Sequence, residues 1–217
     1  MMMKINDVAI IIPCYNEEIT IANVIDDYKK YFSNIYVIDN NCTDNTVDIA
    51  KRTGVNIIKQ PIQGKGAAIR KAFKLINTDY IILTDGDCTY KAKDSYKLYK
   101  CIKSNNYDMV IGNRLNSKYF KHNQKLHKLA NNIFRICASI KFKHNIKDLL
   151  SGSRILAKDF YKSVKITKNG FQVETELIKK CKNYTFIDIE YYARPKNSKS
   201  SIHAVRDSIK ILLMIFI

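Results

Sequence analysis

The sequence predicts an α/β domain with a mostly parallel central sheet flanked by helices. Short apolar runs of strand length alternate with segments in which apolar residues recur at helical spacing, which is the pattern of right-handed βαβ units. The 217 residues suffice for one domain with its own core, and 7 Gly and 3 Pro leave no long linker. We therefore predict one domain over residues 1–205, followed by an apolar C-terminal segment over residues 206–217.

The N-terminal part predicts a strand, a helix and a second strand. Val8–Ile12 is an apolar run ended by Pro13, as expected of a strand buried on both faces of a parallel sheet. Residues 17–32 follow with apolar residues at helical spacing, and Ile35–Ile38 is a second strand that ends in Asp39. The chain therefore begins with a βαβ unit whose strands are followed by polar residues.

The middle of the chain continues this alternation. Thr43 is predicted to cap a helix that stops at Gly54. The turn Gly64–Gly66 opens another helix, which runs to about residue 77. The later strands are predicted at Val55–Ile58, Tyr80–Thr84 and Met109–Gly112.

Polar residues follow the predicted strands at their carboxyl ends, where ligands bind in parallel sheets. Because the topology brings these ends to one edge of the sheet, we expect the residues to line one site. They are Tyr15, Asn16, Glu17, Asp39, the loop 63–66, Asp85, Asp87, Asn113 and Arg114.

The pair Asp85 and Asp87 is the most informative part of this set. Two carboxylates one residue apart after a buried strand can face the same divalent cation, and hard oxygen ligands suit Mg²⁺ or Mn²⁺. Such an ion keeps positions for diphosphate oxygens, which indicates chemistry on a nucleotide-activated substrate. The alternative for the same residues is an ordinary Asp-Gly turn.

Two further residues indicate nucleotide binding. The glycines beside Lys65 let the backbone approach a phosphate at a helix N-terminus, and Lys65 adds positive charge. Asp39 can accept hydrogen bonds from a base or ribose, although Asp at a strand end is also a common helix cap. The P-loop spacing and the dinucleotide fingerprint are both absent, which disfavours Walker-type ATP binding and NAD binding.

The charge indicates a polyanionic partner. Lys and Arg number 37 against 20 Asp and Glu, a net charge of +17, which favours nucleic acid, anionic lipid or phosphorylated substrates as partners. The alternative is a solvated basic surface. No nucleic-acid-binding motif is present, so we expect no nucleic acid partner. The sequence has no C-x₂-C pair, so we expect no zinc site. It has no export signal, so we expect a cytoplasmic location in which the cysteines are free thiols. It has no run of 18 apolar residues, so we expect no membrane-spanning segment.

With these motifs in order, the chain resembles family 2 glycosyltransferases of the GT-A fold, with most likeness to the dolichol- or polyprenyl-phosphate sugar synthase group. The resemblance covers roughly residues 7–210. The matching segments are Ile11–Glu18, Val37–Thr46, Gly64–Ala68, Asp85–Tyr90, Ile111–Arg114, Asp148–Arg154, Gly170–Glu176 and Arg194–Ser200.

The resemblance implies a role for each matching residue. Asp85 and Asp87 would be the metal ligands, for Mg²⁺ or Mn²⁺, and Lys65 would lie near the nucleotide. The base and ribose would be lined by Pro13, Tyr15, Glu17 and Asp39. The diphosphate and the acceptor phosphate would be surrounded by Arg114, Arg154, Arg194, Ser198 and Lys199. The catalytic candidates are Asp87, Arg154, Glu174 and Glu176, with the two glutamates beneath the sugar.

The resemblance also implies a reaction, namely metal-dependent transfer of a sugar, with inversion, from a nucleotide-sugar to a polyprenyl or dolichyl phosphate. Thr89 stands where relatives that use the mannose pattern have Gln, which favours a UDP-sugar donor, although Cys88 and Lys91 are unusual neighbours. The alternative acceptor is a hydroxyl of a glycan or protein, which requires a base, and the candidates are Asp148, Glu174 and Glu176. Remote alternatives are a basic nucleic-acid-binding protein and an inactive relative that binds nucleotide.

Two segments favour peripheral association with an anionic membrane. Residues 208–217 end in a strongly apolar run, which fits an interfacial anchor, the start of a spanning helix or a helix packed on the core. Residues 123–142 form a basic amphipathic helix that could lie on lipid or pack against the sheet.

Overall fold

The computed structural model describes residues 4–123, 125–198 and 204–216, and in these ranges it contains one seven-stranded sheet. The strands are β1 (Ile5–Cys14), β2 (Phe32–Asp39), β3 (Asn56–Lys59), β4 (Tyr80–Leu83), β5 (Met109–Asn113), β6 (Arg154–Ala157) and β7 (Tyr184–Asp188). Their order across the sheet is β3-β2-β1-β4-β6-β5-β7. All neighbours pair in parallel except β6, which is antiparallel to both β4 and β5.

Helices flank this sheet, and from β1 to β5 one helix lies between each strand and the next. They are α1 (Ile21–Tyr28), α2 (Thr46–Arg52), α3 (Lys65–Leu75), α4 (Ala92–Ser104), α5 (Lys118–Asn123), α6 (Lys125–Phe142), α7 (Lys158–Ser163), α8 (Val173–Lys180) and α9 (Ala204–Phe216). None of the helices in the described ranges combines the length and apolarity that crossing a bilayer requires.

The core lies in two layers, one on each side of the sheet. Alternate residues of β1 belong to different layers, with Ala9 and Ile11 in one and Val8, Ile10 and Ile12 in the other. All five are fully buried, because β1 lies inside the sheet and is covered by helices on both faces. This is the physical reason why the strand is a continuous apolar run rather than an alternating one.

The predicted fold class is confirmed, and the five predicted strands correspond to β1–β5. The antiparallel β6 and the edge strand β7 were not predicted, because β6 begins with an arginine and β7 has a threonine among its apolar residues, so neither is a continuous apolar run. The division of the chain at residues 205/206 stays a prediction, and α9 extends across it.

The predicted bounds of the first two helices were wrong. The first helix begins at Ile21 rather than residue 17. It ends at Tyr28 rather than Phe32, because Phe32 already pairs with Ile5 as the first residue of β2. Thr43 does not cap the second helix, which begins at Thr46. The backbone N–H of Thr43 donates instead to the side chain of Asn16, which joins the loops that follow β1 and β2.

Candidate active site

The carboxyl ends of β1, β2 and β4 lie side by side, and the loops that leave them form the candidate site. Asp85 and Asp87 follow β4 and are separated by the buried Gly86. A Cβ atom at Gly86 would lie 3.1 Å from the sulfur of Cys14 at the end of β1, so glycine permits this close packing. The adjacent strand β2 ends in Asp39.

Lys65 joins three separate parts of the chain at this edge. It is the first residue of α3, and its Nζ lies 2.5 Å from Oδ1 of Asp85 and 2.7 Å from Oε1 of Glu174 in α8. The Lys65 side chain is only 11% exposed. Burial lowers the pKa of Lys65, but the two carboxylates raise the pKa by more than burial lowers it, so the amine stays charged. For Asp85, burial raises the pKa and the charge of Lys65 lowers it, with a net decrease.

Arg194 makes the corresponding contacts with Asp87 on the other side of the site. It lies in the segment after β7, and its guanidinium is 2.6 Å from Oδ2 of Asp87 and 3.4 Å from Oε1 of Glu17. It also donates to the hydroxyl of Ser198, at 3.1 Å. Burial raises the pKa of Glu17 to about 7, although Arg194 opposes this shift. Oδ1 of Asp87 accepts hydrogen bonds from the backbone and hydroxyl of Thr89, which orients the carboxylate.

Arg114 contributes a third positive charge near Asp85, whose pKa it helps to lower. The guanidinium is 3.1 Å from a carboxylate oxygen of the fully buried Asp148 and donates to the carbonyl of Leu150 at 2.9 Å. It also packs against the rings of Phe120 and Tyr191. These contacts hold Arg114 in place before any substrate is present.

The model of the family described as Glycosyl transferase family 2 matches residues 9–164, which include part of β1, all of β2–β6, and Asp85, Asp87 and Lys65. The chain belongs to glycosyl transferase family 2. The predicted family is thereby confirmed, and the chain is a glycosyltransferase.

Similar proteins support this membership. Glycosyltransferase AglJ of Haloferax volcanii is 33% identical over 215 residues, which cover 96% of this chain and 71% of that protein. The dolichyl-phosphate hexose transferase of the same organism is 24% identical, over 91% of this chain and 87% of that protein. Glucosyl-3-phosphoglycerate synthase from Mycobacterium tuberculosis, solved with Mn²⁺, uridine diphosphate and phosphoglyceric acid, has a TM-score of 0.79 at 16% identity, covering 96% and 77% of the two chains. That last likeness concerns the fold.

The two metal-binding candidates of this glycosyltransferase, Asp85 and Asp87, are carboxylates one residue apart, and carboxylate oxygens are hard donors that suit a divalent cation. Asp85 and Asp87 each present a carboxylate oxygen to a cationic side chain, so both lie where positive charge is stabilised. Oε2 of Glu174 is buried and accepts no hydrogen bond within the described residues. Those residues contain no cluster of three or more His, Cys, Asp or Glu placed to hold a metal. A divalent ion would therefore complete its coordination with phosphate oxygens or water, as Mg²⁺ commonly does.

Glu174 and Glu176 do not share a site, contrary to the expectation that both lie beneath the sugar. Residues two apart on a helix point in nearly opposite directions. The buried carboxylate of Glu176 accepts hydrogen bonds from the backbone of Thr167 and Lys168 and lies 2.6 Å from Nζ of Lys180. Burial raises the pKa of Glu176, but these hydrogen bonds, with Lys180 first, lower it overall. The structure thus gives Glu176 the task of holding the 167–168 loop.

Arg154 also differs from expectation. The sequence places it beside the diphosphate, but the side chain is fully buried at the start of β6. Its guanidinium donates to three backbone carbonyls, those of Leu149, Ser151 and Glu174, at 2.8–2.9 Å. Arg154 therefore ties the loop before β6 to the first turn of α8, and in this way positions Glu174.

The remaining predicted residues lie at the ends of β1 and β2. Pro13 and Tyr15 are partly buried, and Asp39 is nearly buried, with Oδ1 accepting the backbone N–H of Cys42 at 2.9 Å. Their roles at the base and ribose stay predictions. Lys199 lies outside the described residues.

Sequence reasoning missed Asn40, which directly follows Asp39. Its side-chain amide donates to the carbonyls of Gln60 and Ile62, and its Oδ1 accepts the backbone N–H of Gly64 at 2.6 Å. Asn40 thereby ties the end of β2 to the turn that presents Lys65. Its position inside the strand-end segment Val37–Thr46 was the available signal.

Gly152 was also missed, although it lies directly against a metal-binding candidate. A Cβ atom here would lie 2.8 Å from Cγ of Asp85 and closer than 3.0 Å to both carboxylate oxygens. The backbone N–H of Gly152 donates to the hydroxyl of Tyr90 at 2.9 Å, which holds the loop in place.

Gly152→Ala is therefore expected to displace the carboxylate of Asp85 and to lower sugar transfer by about 10²-fold, since small misplacements of a site are costly. The unfolding midpoint should change little, because a side-chain end can move aside. Steady-state transfer and urea denaturation measure the two effects. The matched control is Ser153→Ala, which removes a neighbouring buried hydroxyl that has no hydrogen-bond partner within the described residues. Equal transfer rates in the two variants would contradict the role of Gly152.

Proposed function

We propose that this glycosyltransferase moves a sugar from a nucleotide-sugar, with UDP the favoured nucleotide, to a polyprenyl or dolichyl phosphate. The observation that carries the proposal is the pair of carboxylates after β4, each facing a buried or partly buried cation. The dolichyl-phosphate hexose transferase among its relatives supports the lipid-phosphate acceptor. The solved complex of a similar fold with Mn²⁺ and uridine diphosphate supports the donor and the metal.

The residues of the site have distinct tasks in this reaction. Asp85 and Asp87 would hold Mg²⁺ or Mn²⁺, which when bound neutralises the charge of the diphosphate leaving group. Lys65 and Arg114 add fixed positive charge beside Asp85, and such preorganised charge stabilises a developing anion. We propose a single displacement at the anomeric carbon, with inversion.

A phosphate acceptor needs no base, because it is already an anion near neutral pH, but it needs cations to hold it. Arg194 and Ser198 fit this task, since they lie together at the edge of the site next to Asp87 and Glu17. Lys199 continues the same segment in the sequence. This favours the enzyme over the nucleic-acid-binding alternative, because an anionic phosphate substrate accounts for the basic residues at the site.

One observation keeps the hydroxyl acceptor as a second candidate. That reaction requires a carboxylate base. Asp148 is fully buried against Arg114, and Glu176 is bound to the 167–168 loop, whereas Oε2 of Glu174 has no hydrogen-bond partner among the described atoms. Glu174 is therefore the base that a hydroxyl acceptor would use.

The two acceptors can be separated by the fate of a labelled sugar. The enzyme is incubated with Mn²⁺, radiolabelled UDP-sugars and detergent-dispersed polyprenyl phosphate, and the products are extracted with organic solvent. We expect label in the lipid phase that depends on both metal and lipid phosphate. Label transferred only to water-soluble glycans would favour the second candidate. No transfer and no metal-dependent binding of any nucleoside diphosphate would contradict the proposal.

A further inference from the structure

The helices α6 and α9 together expose an apolar face. Of the ten large apolar side chains that are exposed in the described part of the chain, seven lie on these two helices. They are Leu129, Ile133, Ile136 and Ile140 of α6, and Ile209, Leu213 and Phe216 of α9, and we call them the α6–α9 face. Each set recurs at intervals of three or four residues, so each forms one stripe along its helix.

The two stripes lie on the outer sides of helices that cover the same core layer. The opposite sides of the helices, with Phe134 and Ala138 on α6 and Ile211 and Ile215 on α9, are buried in one core layer, and the two helices pack against each other. The exposed fractions are 48–75% on α6 and 53–56% on α9. Soluble monomers rarely leave a continuous apolar surface of this kind uncovered, so the face needs an occupant.

A basic cavity adjoins this face. It has a volume of about 500 Å³, and Leu213 belongs to both the cavity and the face. The cavity lining includes four lysines from α8, α9 and the loop before α8, and two apolar residues of α9: Lys168, Lys179, Lys180, Lys210, Leu213 and Met214. The one acidic residue among the described residues of the lining is Glu176. Lys180 is paired with Glu176, while Lys168 and Lys179 are exposed. Positive charge beside apolar walls suits a phosphate group that carries an acyl chain.

The charge of the surroundings decides between possible occupants. The chain carries a net charge of +17, and α6 contains no acidic residue. A second copy of the same face would bring lysines together, which disfavours self-association. An anionic lipid surface attracts these cations and accepts the apolar stripe at the same time, as it does for interfacial helices.

The cavity is also close to the candidate active site. The first turn of α8 separates the two, with Glu174 directed to Lys65 and Glu176 directed to the cavity. The loop that lines the cavity continues to Asn169, whose carbonyl accepts the backbone N–H of Ala67 in the first turn of α3. The loop that lines the cavity therefore also contacts the start of α3, which carries Lys65.

We propose that the α6–α9 face docks on an anionic membrane, with the lysine-lined cavity seating the phosphate of a lipid headgroup. The docking rests on the function proposed above for the identity of the acceptor. It brings the active site to the membrane that holds the acceptor, whose phosphate is assigned to Arg194 and Ser198, while the cavity seats the phosphate of a separate anionic headgroup. The apolar stripe inserts among acyl chains, and the lysines remain at headgroup level.

Vesicle sedimentation of the full chain tests the docking. We expect binding to vesicles of phosphatidylcholine with about 30% phosphatidylglycerol and only weak binding to phosphatidylcholine alone. High salt should abolish the binding to the anionic vesicles. The triple variant Ile136→Gln, Ile140→Gln, Leu213→Gln should lower the affinity by about tenfold or more. The matched control is Ile19→Gln, Ile62→Gln, Leu75→Gln, whose side chains are about as exposed but lie elsewhere.

A second pair of variants tests the cavity. Lys179→Gln with Lys210→Gln should lower the affinity for anionic vesicles by about tenfold, with little change for neutral ones. The control is Lys59→Gln with Lys74→Gln, which removes the same charge from exposed positions elsewhere. Equal losses in the variant and its control would overturn the cavity assignment and leave only non-specific attraction.

Two outcomes would overturn the docking itself. One is an absence of binding to any vesicle, and the other is a dimer in light scattering that the triple variant dissociates. The result is independent of catalysis, because Asp85→Asn should bind vesicles as the unchanged enzyme does. Transfer to detergent-dispersed lipid phosphate without vesicle binding would contradict the docking alone, whereas vesicle binding without transfer would contradict the proposed function alone.

Discussion

Asp85→Asn is expected to lower sugar transfer by about 10²-fold or more, because it removes a charge that pairs with Lys65 and that we propose holds the metal. Asp87→Asn is expected to do the same, since its Oδ2 is the oxygen that faces Arg194. Both substitutions preserve side-chain volume, so the fold should be retained. Transfer at saturating donor and Mn²⁺, together with the thermal unfolding midpoint, measures the two effects.

The matched control for these variants is Asp48→Asn on α2, which removes an exposed carboxylate that pairs with Lys51 at the surface. A surface pair of this kind contributes little to stability, so neither activity nor unfolding should change. Titration of Mn²⁺ in the presence of uridine diphosphate adds a binding readout. Metal-dependent binding that is unchanged in Asp85→Asn and Asp87→Asn would rule out the metal assignment.

Arg154→Met is expected to destabilise the enzyme by about 3 kcal/mol or more, because three buried carbonyls lose a charged donor. Arg154→Lys should recover only part of this loss, since one ammonium group cannot reproduce the planar arrangement of guanidinium donors. Urea denaturation measures the free energy of unfolding of each variant.

Arg52→Met on the exposed end of α2 serves as the control and should leave the unfolding free energy nearly unchanged. The test also decides between two roles for Arg154. A variant with unchanged stability and lost transfer would restore the sequence-based assignment of Arg154 to the diphosphate. Lost stability with a proportionate loss of folded, active enzyme supports the structural role.

The parallel part of the fold could be predicted because its signals are local. Val8–Ile12 and Ile81–Thr84 are buried on both faces, and such strands are continuous apolar runs that end in polar residues. The antiparallel β6 carries only four residues and begins with a buried arginine, so its composition resembles that of a loop. Its direction depends on the path of the 142–153 segment, which no local pattern records.

The candidate site divides in the same way. Asp85 and Lys65 were found because each stands at a strand end or helix start that the sequence reveals. Gly152 and Asn40 were missed as site residues, because their contacts with Asp85 and Gly64 bridge loops that are distant in sequence. Arg154 was expected beside the diphosphate, whereas its side chain is buried against backbone carbonyls. The sequence does not distinguish a buried arginine from a substrate-binding one.

The sequence by itself determined that Asp39, Lys65, Asp85 and Asp87 gather at one edge, since parallel strands direct all their carboxyl ends the same way. Only the tertiary structure decided that Glu174 joins Lys65 while Glu176 holds a loop, and that α6 and α9 leave an apolar face exposed. Burial and pairing depend on which distant segments pack together, and side-chain type alone does not specify that packing.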